Sequence, residues 1–433
     1  MNVLLCSFSD PGYLYPALAV GRELRRRGHR VLVLGRSGVV PTARAAGLGA
    51  LDAAEYDGAG GFSVGRWTHG GEAQFRAVRH AAREFRAGVL VTSVLGHGAL
   101  LAGEALGLPV VVLGFAAHLW PYASGGEGEP QRVVLREWRL RELLRHYREL
   151  RERIGLPPRR DRRPDRPLIG SGLLLRGHPA LEYPGAALPE GVWHAGPCSW
   201  EPAADPGEVD RIDHHLARVG KPVVYVHLGR QFGGRSLWPA LNEAFTEGPF
   251  QAVVEQGRSG DPSPAAGADV LVVRHPWMGP LVERAALVLT NGTTSPVLTA
   301  LRHGRPLAVA PAGSEQPLLA EACVRAGVAV RFSGGGSPGS GAAALAAALD
   351  GPLPERARRL GAALCRGDGA VAAADHVIAA ASPMATGRSG GSGAGHRTGP
   401  EIGTETGQRT RQGIGHGTHG ERFRDAERME AHT

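Results

Sequence analysis

Residues 286–316 read ALVLTNGTTSPVLTALRHGRPLAVAPAGSEQ, and this stretch decides the fold. The apolar run at 286–290 predicts a buried strand. The hydroxyl-rich loop NGTTS follows it, and a helix pattern follows the loop. A second strand pattern at 306–311 is followed by the polar run SEQ and another helix. Two strand–loop–helix corners in tandem indicate parallel strands in an α/β domain.

The same alternation begins at the N-terminus. NVLLCSF is strand-like, YPALAVGRELRRRG has the spacing of an amphipathic helix ended by Gly28, and HRVLVLG is again a strand. Further strand patterns, such as LPVVVLGF, KPVVYVHLG and FQAVVEQ, follow along the chain. The sequence therefore predicts an α/β protein with two tandem Rossmann-like domains facing a central cleft, where the carboxyl ends of the strands would bind ligand.

Breaker-rich stretches set the predicted domain limits. We expect an N-terminal domain at 1–160, a linker and the start of the second domain at 161–220, and a C-terminal domain at 221–383. Residues 384–433 lack periodicity and are rich in Gly, Thr, Arg and His. Such a segment cannot bury enough apolar surface to order itself, so a disordered C-terminal tail is predicted.

Composition narrows the class of protein. Hydrophobic residues make up 42% of the 433 residues and charged residues 21%, as in soluble globular proteins. No apolar run approaches the ~20 residues of a membrane helix, and the N-terminus has no signal-peptide pattern. The four cysteines are far apart and lack CxxC spacing, which favours reduced thiols and a cytoplasmic location.

The formal net charge of +8 comes mostly from dispersed arginines. The densest basic cluster alternates in sign and is typical of a solvated helix followed by a charged linker. Basic residues interleaved with aromatics, or a known nucleic-acid module, are missing from the sequence pattern. We therefore predict no nucleic-acid partner and no stable membrane anchor, and a monomer or homodimer.

Three segments together resemble a known family. These are GYLYPALAVGRELRRRGHRVLVLG, LEYPGAALPEGVWHAGP and the run from Arg274 through Val330. They are similar in order and spacing to motifs of the GT-B-fold nucleotide-sugar glycosyltransferases. Within that class the chain resembles the UDP-glycosyltransferase superfamily and its bacterial natural-product members, up to residue 382. The resemblance implies inverting, metal-independent transfer from a UDP- or dTDP-sugar to a small natural-product acceptor, with that donor as co-substrate and no other cofactor.

The NGTTS loop is the predicted phosphate cradle. Backbone N–H groups and the dipole at a helix N-terminus can hold a diphosphate without metal; an ordinary turn with a Ser/Thr cap is the alternative. The complete set of candidate donor-binding residues is Arg230, Arg274, His275, Trp277, Asn291, Gly292, Thr293, Thr294, Ser295, Glu315 and Gln316.

The other donor-binding candidates are inferred from their positions relative to the family's motifs. Glu315 and Gln316 fall at the family's sugar-recognising acid–amide pair, which suits vicinal hydroxyls; solvent-exposed capping is the alternative. Arg230 could pair with the diphosphate or point to solvent. Arg274 and Trp277 are candidates for the base slot, although a tryptophan that simply packs in the core is equally compatible with the sequence.

The catalytic pattern departs from the family. The resemblance implies a histidine base oriented by an aspartate, but Tyr13 stands at the histidine position and Thr92 and Ser93 stand where the aspartate would fall. Neutral tyrosine, with a reference pKa of ~10, is a poor base. Asp10 could serve instead or could cap the next helix. The candidate catalytic residues are Tyr13, Asp10 and His97.

The candidate acceptor-binding residues are His118 and Trp120, in the segment HLWPY. Aromatic side chains there suit a flat acceptor, but they could equally anchor the loop, and His97 and His118 could both be packed or surface histidines. On the donor side, Asn291, Thr293, Pro296 and Thr299 replace the family's usual residues. These changes alter the predicted donor site without erasing it.

Three functions are compatible with this sequence. A natural-product glycosyltransferase is predicted. The alternative is a non-catalytic or auxiliary GT-B protein that binds a nucleotide or a partner enzyme, motivated by the missing His–Asp dyad. A third hypothesis, suggested by YPALAVGREL, is that the protein is similar to the N-acetylglucosaminyltransferase that completes the lipid-linked peptidoglycan precursor.

Overall fold

Thirteen parallel strands lie in two sheets within the residues that the structure describes. The structure is a computed structural model, and it describes residues 1–53, 71–129, 132–229, 234–246, 248–256, 262–334 and 339–382. The predicted disordered tail at 384–433 and Arg230 lie outside these ranges. Residues Met1–Ala381 form one compact unit.

The first half of the chain alternates strands and helices as predicted. Its strands are β1 (Asn2–Cys6), β2 (Arg30–Gly35), β3 (Gly49–Asp52), β4 (Val89–Ser93), β5 (Val110–Leu113), β6 (Gly172–Leu175) and β7 (Val192–His194). Its helices are α1 (Pro11–Arg26), α2 (Val39–Ala45), α3 (Gly71–Glu84), α4 (His97–Leu106), α5 (Arg132–Arg153) and α6 (Arg166–Ile169).

The second half repeats the pattern. Its strands are β8 (Val223–His227), β9 (Gln251–Glu255), β10 (Val270–Val273), β11 (Leu287–Thr290), β12 (Leu307–Val309) and β13 (Ala329–Arg331). Its helices are α7 (Pro206–Val219), α8 (Gly234–Phe245), α9 (Gly279–Arg284), α10 (Thr294–Arg302), α11 (Gln316–Arg325), α12 (Ser340–Leu349), α13 (Leu353–Leu364) and α14 (Gly369–Ala381).

Both sheets are parallel, and each reverses its strand order near the middle. The seven-stranded sheet runs β3-β2-β1-β4-β5-β6-β7 and the six-stranded sheet runs β10-β9-β8-β11-β12-β13. Every residue of β4, β5, β8 and β11 is buried. Central strands of parallel sheets are covered by helices on both faces, which explains their continuous Val/Leu runs. The predicted fold class is confirmed.

The first sheet extends further along the chain than the predicted domain limits. Strands β6 and β7 lie within 161–220, the range expected to be linker and the start of the second domain, yet they pair with β5 and with each other. Their short, four- and three-residue runs are flanked by Pro and Gly, so sequence periodicity gave them little weight.

The last described helix, α14, packs against the first half of the chain. Helix α14 buries Ala373, Ala374 and Val377 in the apolar cluster that covers one face of the first sheet. Arg27 at the end of α1 pairs with Asp375 of α14 at 2.5 Å. Helix α14 lies within the predicted C-terminal domain by sequence but packs with the N-terminal one, because its apolar face complements α1.

The two halves are in direct contact. Ala116, Ala117 and Leu181 of the first half belong to the same buried apolar cluster as side chains of α10 and α11. The Tyr15 hydroxyl donates to the carbonyl of Pro276 at 3.0 Å, and Arg325 donates to the carbonyl of Glu182 at 3.1 Å. In the described part of the chain, none of the helices has the length and apolar character required to cross a membrane.

Candidate active site

A cavity of about 850 Å³ opens at the carboxyl ends of both sheets. Residues from both halves line it, including the loop after β1, the end of β6, the loop between β11 and α10, and the loop before α11. Predicted site residues among its lining are Asp10, Tyr13, Asn291, Thr293, Thr294, Ser295, Glu315 and Gln316. The tertiary structure thus brings the N-terminal loop and both predicted donor loops to one place.

Asn291 organises the loop after β11. Its side chain is 1% exposed, and its amide Nδ2 donates to the carbonyl of Leu228 at 2.7 Å. Its Oδ1 accepts from the backbone N–H of Thr293 at 3.2 Å and from the Thr293 hydroxyl at 3.0 Å. Asn291 therefore ties the end of β8 to the start of α10, and its side chain shapes the cradle.

Gly292 makes the tight turn into α10. Its φ of +86° is in the region that favours glycine, and a Cβ there would lie 3.0 Å from the carbonyl oxygen of Gln316. Gly292 itself does not line the cavity, but Thr294 and Ser295 of the first turn of α10 do. The N–H groups of Thr294 and Ser295 belong to the first helical turn and have no partner within the helix.

Thr294 also fixes this helix end against the other half. Its hydroxyl accepts a hydrogen bond from the backbone N–H of Ala116 at 3.1 Å, and the side chain is 3% exposed. The Ser/Thr residues of the NGTTS loop are therefore divided in role: Thr293 bonds back to Asn291, Thr294 joins the two halves, and Ser295 lines the cavity without a described side-chain bond.

The Glu315–Gln316 pair lies at the start of α11. Glu315 is 7% exposed, and burial raises the pKa of its carboxyl. The Gln316 amide oxygen accepts from the backbone N–H groups of Ala312 at 3.0 Å and Gly313 at 3.3 Å. Its NH₂ group has no partner among the described residues and remains a donor for a ligand. The solvent-exposed alternative is wrong for this pair, since both side chains are buried at the cavity.

The predicted base-slot residues take another position. Trp277 is 2% exposed and stacks on the His275 ring, with centroids 4.2 Å apart and planes 6° from parallel. Burial lowers the pKa of His275. Arg274 is exposed, and none of these three side chains lines the cavity. Their predicted nucleotide contacts stay a prediction, and the core-packing alternative describes the position of Trp277.

Asp10 and Tyr13 lie at the start of α1, Asp10 as its N-cap and Tyr13 in its first turn. Asp10 caps that helix, since its carboxylate accepts from the backbone N–H of Gly12 at 2.9 Å. Tyr13 packs edge-on against Phe8 and Phe115, at centroid distances of 5.7 and 6.0 Å. Burial, and secondarily the charges of Glu315 and Asp10, raise the pKa of Tyr13 well above its ordinary value. Tyr13 is therefore a hydrogen-bonding group and an apolar wall at neutral pH.

The aspartate of the family's dyad has no substitute at its position. Thr92 is fully buried, and its hydroxyl donates to the carbonyl of Cys6 at 2.9 Å inside the first sheet. Asp10, which is exposed and lines the cavity, is the carboxylate nearest in sequence to Tyr13.

His97 does not reach the cavity. It is 3% exposed, packs edge-on against Tyr147 at 5.7 Å, and burial lowers its pKa to about 3. The cause is the packing of α4 against α3 and α5, which places the start of α4 under a layer of helices. The catalytic role predicted for His97 has no geometric support here, and the packed-histidine alternative describes its position.

His118 and Trp120 anchor their loop from inside. Both are buried, their rings meet edge-on at 5.7 Å, and neither lines the cavity. Burial lowers the pKa of His118 to about 3. The backbone N–H of His118 donates to Glu182, and its carbonyl accepts from Arg136. The acceptor contacts predicted for this pair stay a prediction, while the anchoring alternative matches the structure.

Comparison with known proteins shows which proteins this chain is similar to. No protein-family model matches the chain. The chain is 30% identical over 264 residues to 4'-demethylrebeccamycin synthase of Lentzea aerocolonigenes, which covers 54% of the chain and 59% of that relative. It is 26% identical over 426 residues to O-mycaminosyltylonolide 6-deoxyallosyltransferase of Streptomyces fradiae, covering 84% of the chain and 94% of the relative.

Solved structures agree in fold over almost their whole length. The glycotransferase of kitacinnamycin superposes with a TM-score of 0.68 at 22% identity, covering 88% of this chain and 98% of that one. The glycosyltransferase VinC in complex with dTDP gives a TM-score of 0.63 at 15% identity, covering 88% and 99%. This chain has the GT-B fold of the natural-product glycosyltransferases. The resemblance drawn from the sequence is confirmed.

This GT-B chain carries cavity residues that the sequence did not single out. Arg176 follows β6, Arg36 follows β2, and Glu201 lies in the connection to the second half; all three line the cavity. Glu201 accepts from the backbone N–H groups of Met278 and Gly279, both at 2.9 Å, and so holds the start of α9. The available signal was a charged residue directly after a strand, which for Arg176 was obscured because β6 was not predicted.

Possible metal ligands in this GT-B protein are its His, Cys, Asp and Glu side chains. Across the described ranges, no group of three or more His, Cys, Asp or Glu side chains is placed to hold a metal ion. Metal independence of the reaction stays a prediction.

Proposed function

We propose that this protein transfers a sugar, with inversion and without metal, from a UDP- or dTDP-sugar to a small natural-product acceptor. The observation that carries the proposal is that the N-terminus of α10, the Glu315–Gln316 pair and the Asp10–Tyr13 loop line one cavity. Donor-binding and acceptor-binding groups must meet within a few ångströms for a direct displacement.

The donor diphosphate would bind at the start of α10. The N–H groups of Thr294 and Ser295 and the helix dipole favour negative charge there. When the anomeric bond breaks, charge develops on the leaving diphosphate, and fixed N–H donors stabilise it without reorganisation. The bound dTDP named for VinC supports a nucleoside diphosphate as the ligand of this half.

The sugar would lie against the Glu315–Gln316 pair. The raised pKa of Glu315 reflects a carboxyl held out of water, which gains most when it accepts hydrogen bonds from sugar hydroxyls. The Gln316 NH₂ group can donate to a neighbouring hydroxyl, because its oxygen is already used by the loop. An acid and an amide side by side match the donor and acceptor pattern of a vicinal diol.

The acceptor would bind against the aromatic wall that Tyr13 and Phe115 form on one side of the cavity. Asp10 is the exposed carboxylate of this loop and the residue best placed to take a proton from the attacking group. An amine or acidic phenol needs little help of this kind, which is compatible with Tyr13 at the position of the family's histidine. The names of both relatives describe enzymes of natural-product assembly, and they support an acceptor of that class.

Calorimetric titration of the full chain with UDP and dTDP tests the donor half. One nucleotide should bind, and incubation with matching nucleotide sugars and a panel of phenolic and amine acceptors should give a glycoside. Proton NMR of the anomeric position should show inversion, and excess EDTA should leave the rate unchanged. Failure of both nucleotides to bind would contradict the proposal.

An auxiliary, non-catalytic role is the second candidate. The observation that favours it is the position of Thr92, bonded inside the sheet where the family has an acid that orients its base. Nucleotide binding without transfer or donor hydrolysis across the panel would support this role over the enzymatic one.

A further inference from the structure

Arg176 lies at the cavity with its cationic group almost fully enclosed. It directly follows β6, is 4% exposed and lines the cavity. Its Nε donates to the carbonyl of Gly114 at 2.7 Å. The two terminal nitrogens have no hydrogen-bond partner among the described residues, and they are the part of the side chain available to the cavity.

The other two buried arginines among the described residues each form an ion pair with a carboxylate, which Arg176 does not. Arg136 is 4% exposed and pairs with Glu129 at 2.7 Å, and Arg151 is 4% exposed and pairs with Glu104 at 2.6 Å. Arg176 has no carboxylate within ion-pair distance in the described ranges. A buried charge normally requires a partner of opposite sign, because the desolvation it suffers is otherwise uncompensated.

Burial raises the pKa of each ionisable group whose charge acts on Arg176, namely Cys198, Tyr13 and Glu315. Burial raises the pKa of the Cys198 thiol to about 12, and burial likewise raises the pKa of the Tyr13 hydroxyl. Glu315 is the carboxyl whose charge Arg176 feels, and its pKa is also raised by burial. None of these groups forms an ion pair with the guanidinium in the described ranges, and burial disfavours the charged form of each.

We propose that Arg176 binds an anionic oxygen group of the acceptor, so that the acceptor is a carboxylic acid or an acidic phenol bound as its anion. This rests on the proposed function and narrows its acceptor class. The acceptor side is favoured because Arg176, Phe115 and Tyr13 all belong to the first half. The backbone N–H of Arg176 donates to the carbonyl of Phe115 at 2.8 Å, which fixes the cation beside an aromatic wall.

Calorimetry with 2-naphthoate and 2-naphthamide tests the site on the full chain, because the two probes share shape and differ in charge. The wild type should prefer naphthoate by about tenfold or more, as expected for charge-assisted hydrogen bonds. Arg176→Gln should reduce the preference to within about twofold, and Arg176→Lys should retain part of it. Arg145→Gln is the matched control, since Arg145 is an exposed arginine of α5, and it should keep the wild-type preference.

Titration of the same variants with dTDP and UDP separates the sources of the anion. Unchanged nucleotide affinity in Arg176→Gln, together with lost naphthoate preference, supports an acceptor subsite and shows that the variant is folded. Lost nucleotide affinity with a retained naphthoate preference would assign Arg176 to the donor phosphates and overturn the proposal. A wild type that binds nucleotide but not naphthoate overturns the subsite alone, whereas one that binds no nucleotide contradicts the proposed function.

Discussion

The guanidinium of Arg139 donates to the carbonyl oxygen of Ser314 at 2.7 Å, so a helix of the first half holds the residue before the Glu315–Gln316 pair. Ser314 has a φ of 55°, an uncommon conformation for a residue other than glycine. Such conformations persist where surrounding contacts fix them, often at ligand sites. The loop proposed to bind the sugar is therefore shaped partly by the other half of the chain.

Arg139→Ala should raise KM for the nucleotide sugar about tenfold or more, since a hydrogen bond from a charged group contributes about 1.5–3 kcal/mol. The reason is a looser loop at Ser314, so kcat should change less than KM. Steady-state kinetics with varied donor measures the split. Arg145→Ala, which removes an exposed arginine of the same helix paired to Glu142 and Glu149, should leave KM unchanged. Equal effects of the two variants would argue against the loop contact.

Asn291→Asp should weaken UDP or dTDP binding by about tenfold or more, because a charged carboxylate would enter the phosphate cradle and lose the bond to Leu228. The Oδ1 atom of the aspartate would still accept from the backbone N–H of Thr293, so this hydrogen bond within the loop would remain. Calorimetry against the wild type gives the ratio. Wild-type affinity in Asn291→Asp, with the chain folded, would show that the diphosphate binds elsewhere.

Asp10→Asn should lower turnover about 100-fold or more if Asp10 takes the acceptor proton. Asparagine caps helices as well as aspartate does, so the free energy of unfolding should barely change. Alanine variants of Asp10, His97 and His118 should differ, with the two histidines affecting turnover less because they do not line the cavity. Full turnover in all three alanine variants would show that none of them acts as a general base.

Stability should fall as pH drops from 7 to 5, because buried histidines resist protonation. Burial lowers the pKa of His97 to about 3. Below the unfolded value of ~6.5, the unfolded chain binds a proton that the folded chain does not, so this histidine costs about 2 kcal/mol of stability at pH 5.

His97→Gln tests this pH dependence by removing the titrating group. Its loss of unfolding free energy between pH 7 and pH 5 should be about 2 kcal/mol smaller than that of the wild type. Denaturant titrations at the two pH values measure this difference. His80→Gln, at an exposed position on α3, should follow the wild type. Parallel curves for His97→Gln and the wild type would mean that His97 is protonated in the folded chain.

Local periodicity was sufficient to predict most of the architecture. Most strands of both sheets are apolar runs long enough to be recognised, and a βαβ alternation leaves parallel pairing as the available topology. Strands β3, β6, β7 and β13 were missed because their three- or four-residue runs carry too little pattern. The return of α14 to α1 was missed because helix packing between distant segments leaves no local signal.

The sequence by itself determined where the loops proposed to bind the phosphates and the sugar lie, because loops at the carboxyl ends of parallel strands are fixed by strand order. Only the tertiary structure decided which side chains face the cavity. His97, His118 and Trp120 follow strands of the first half as Asp10 does, yet the packing of their elements turns them into the core. Arg176 shows the reverse, since only the pairing of β6 with β5 brings its charge to the cleft. Burial and charge partners depend on contacts between residues far apart in the chain, and a one-dimensional pattern does not contain those contacts.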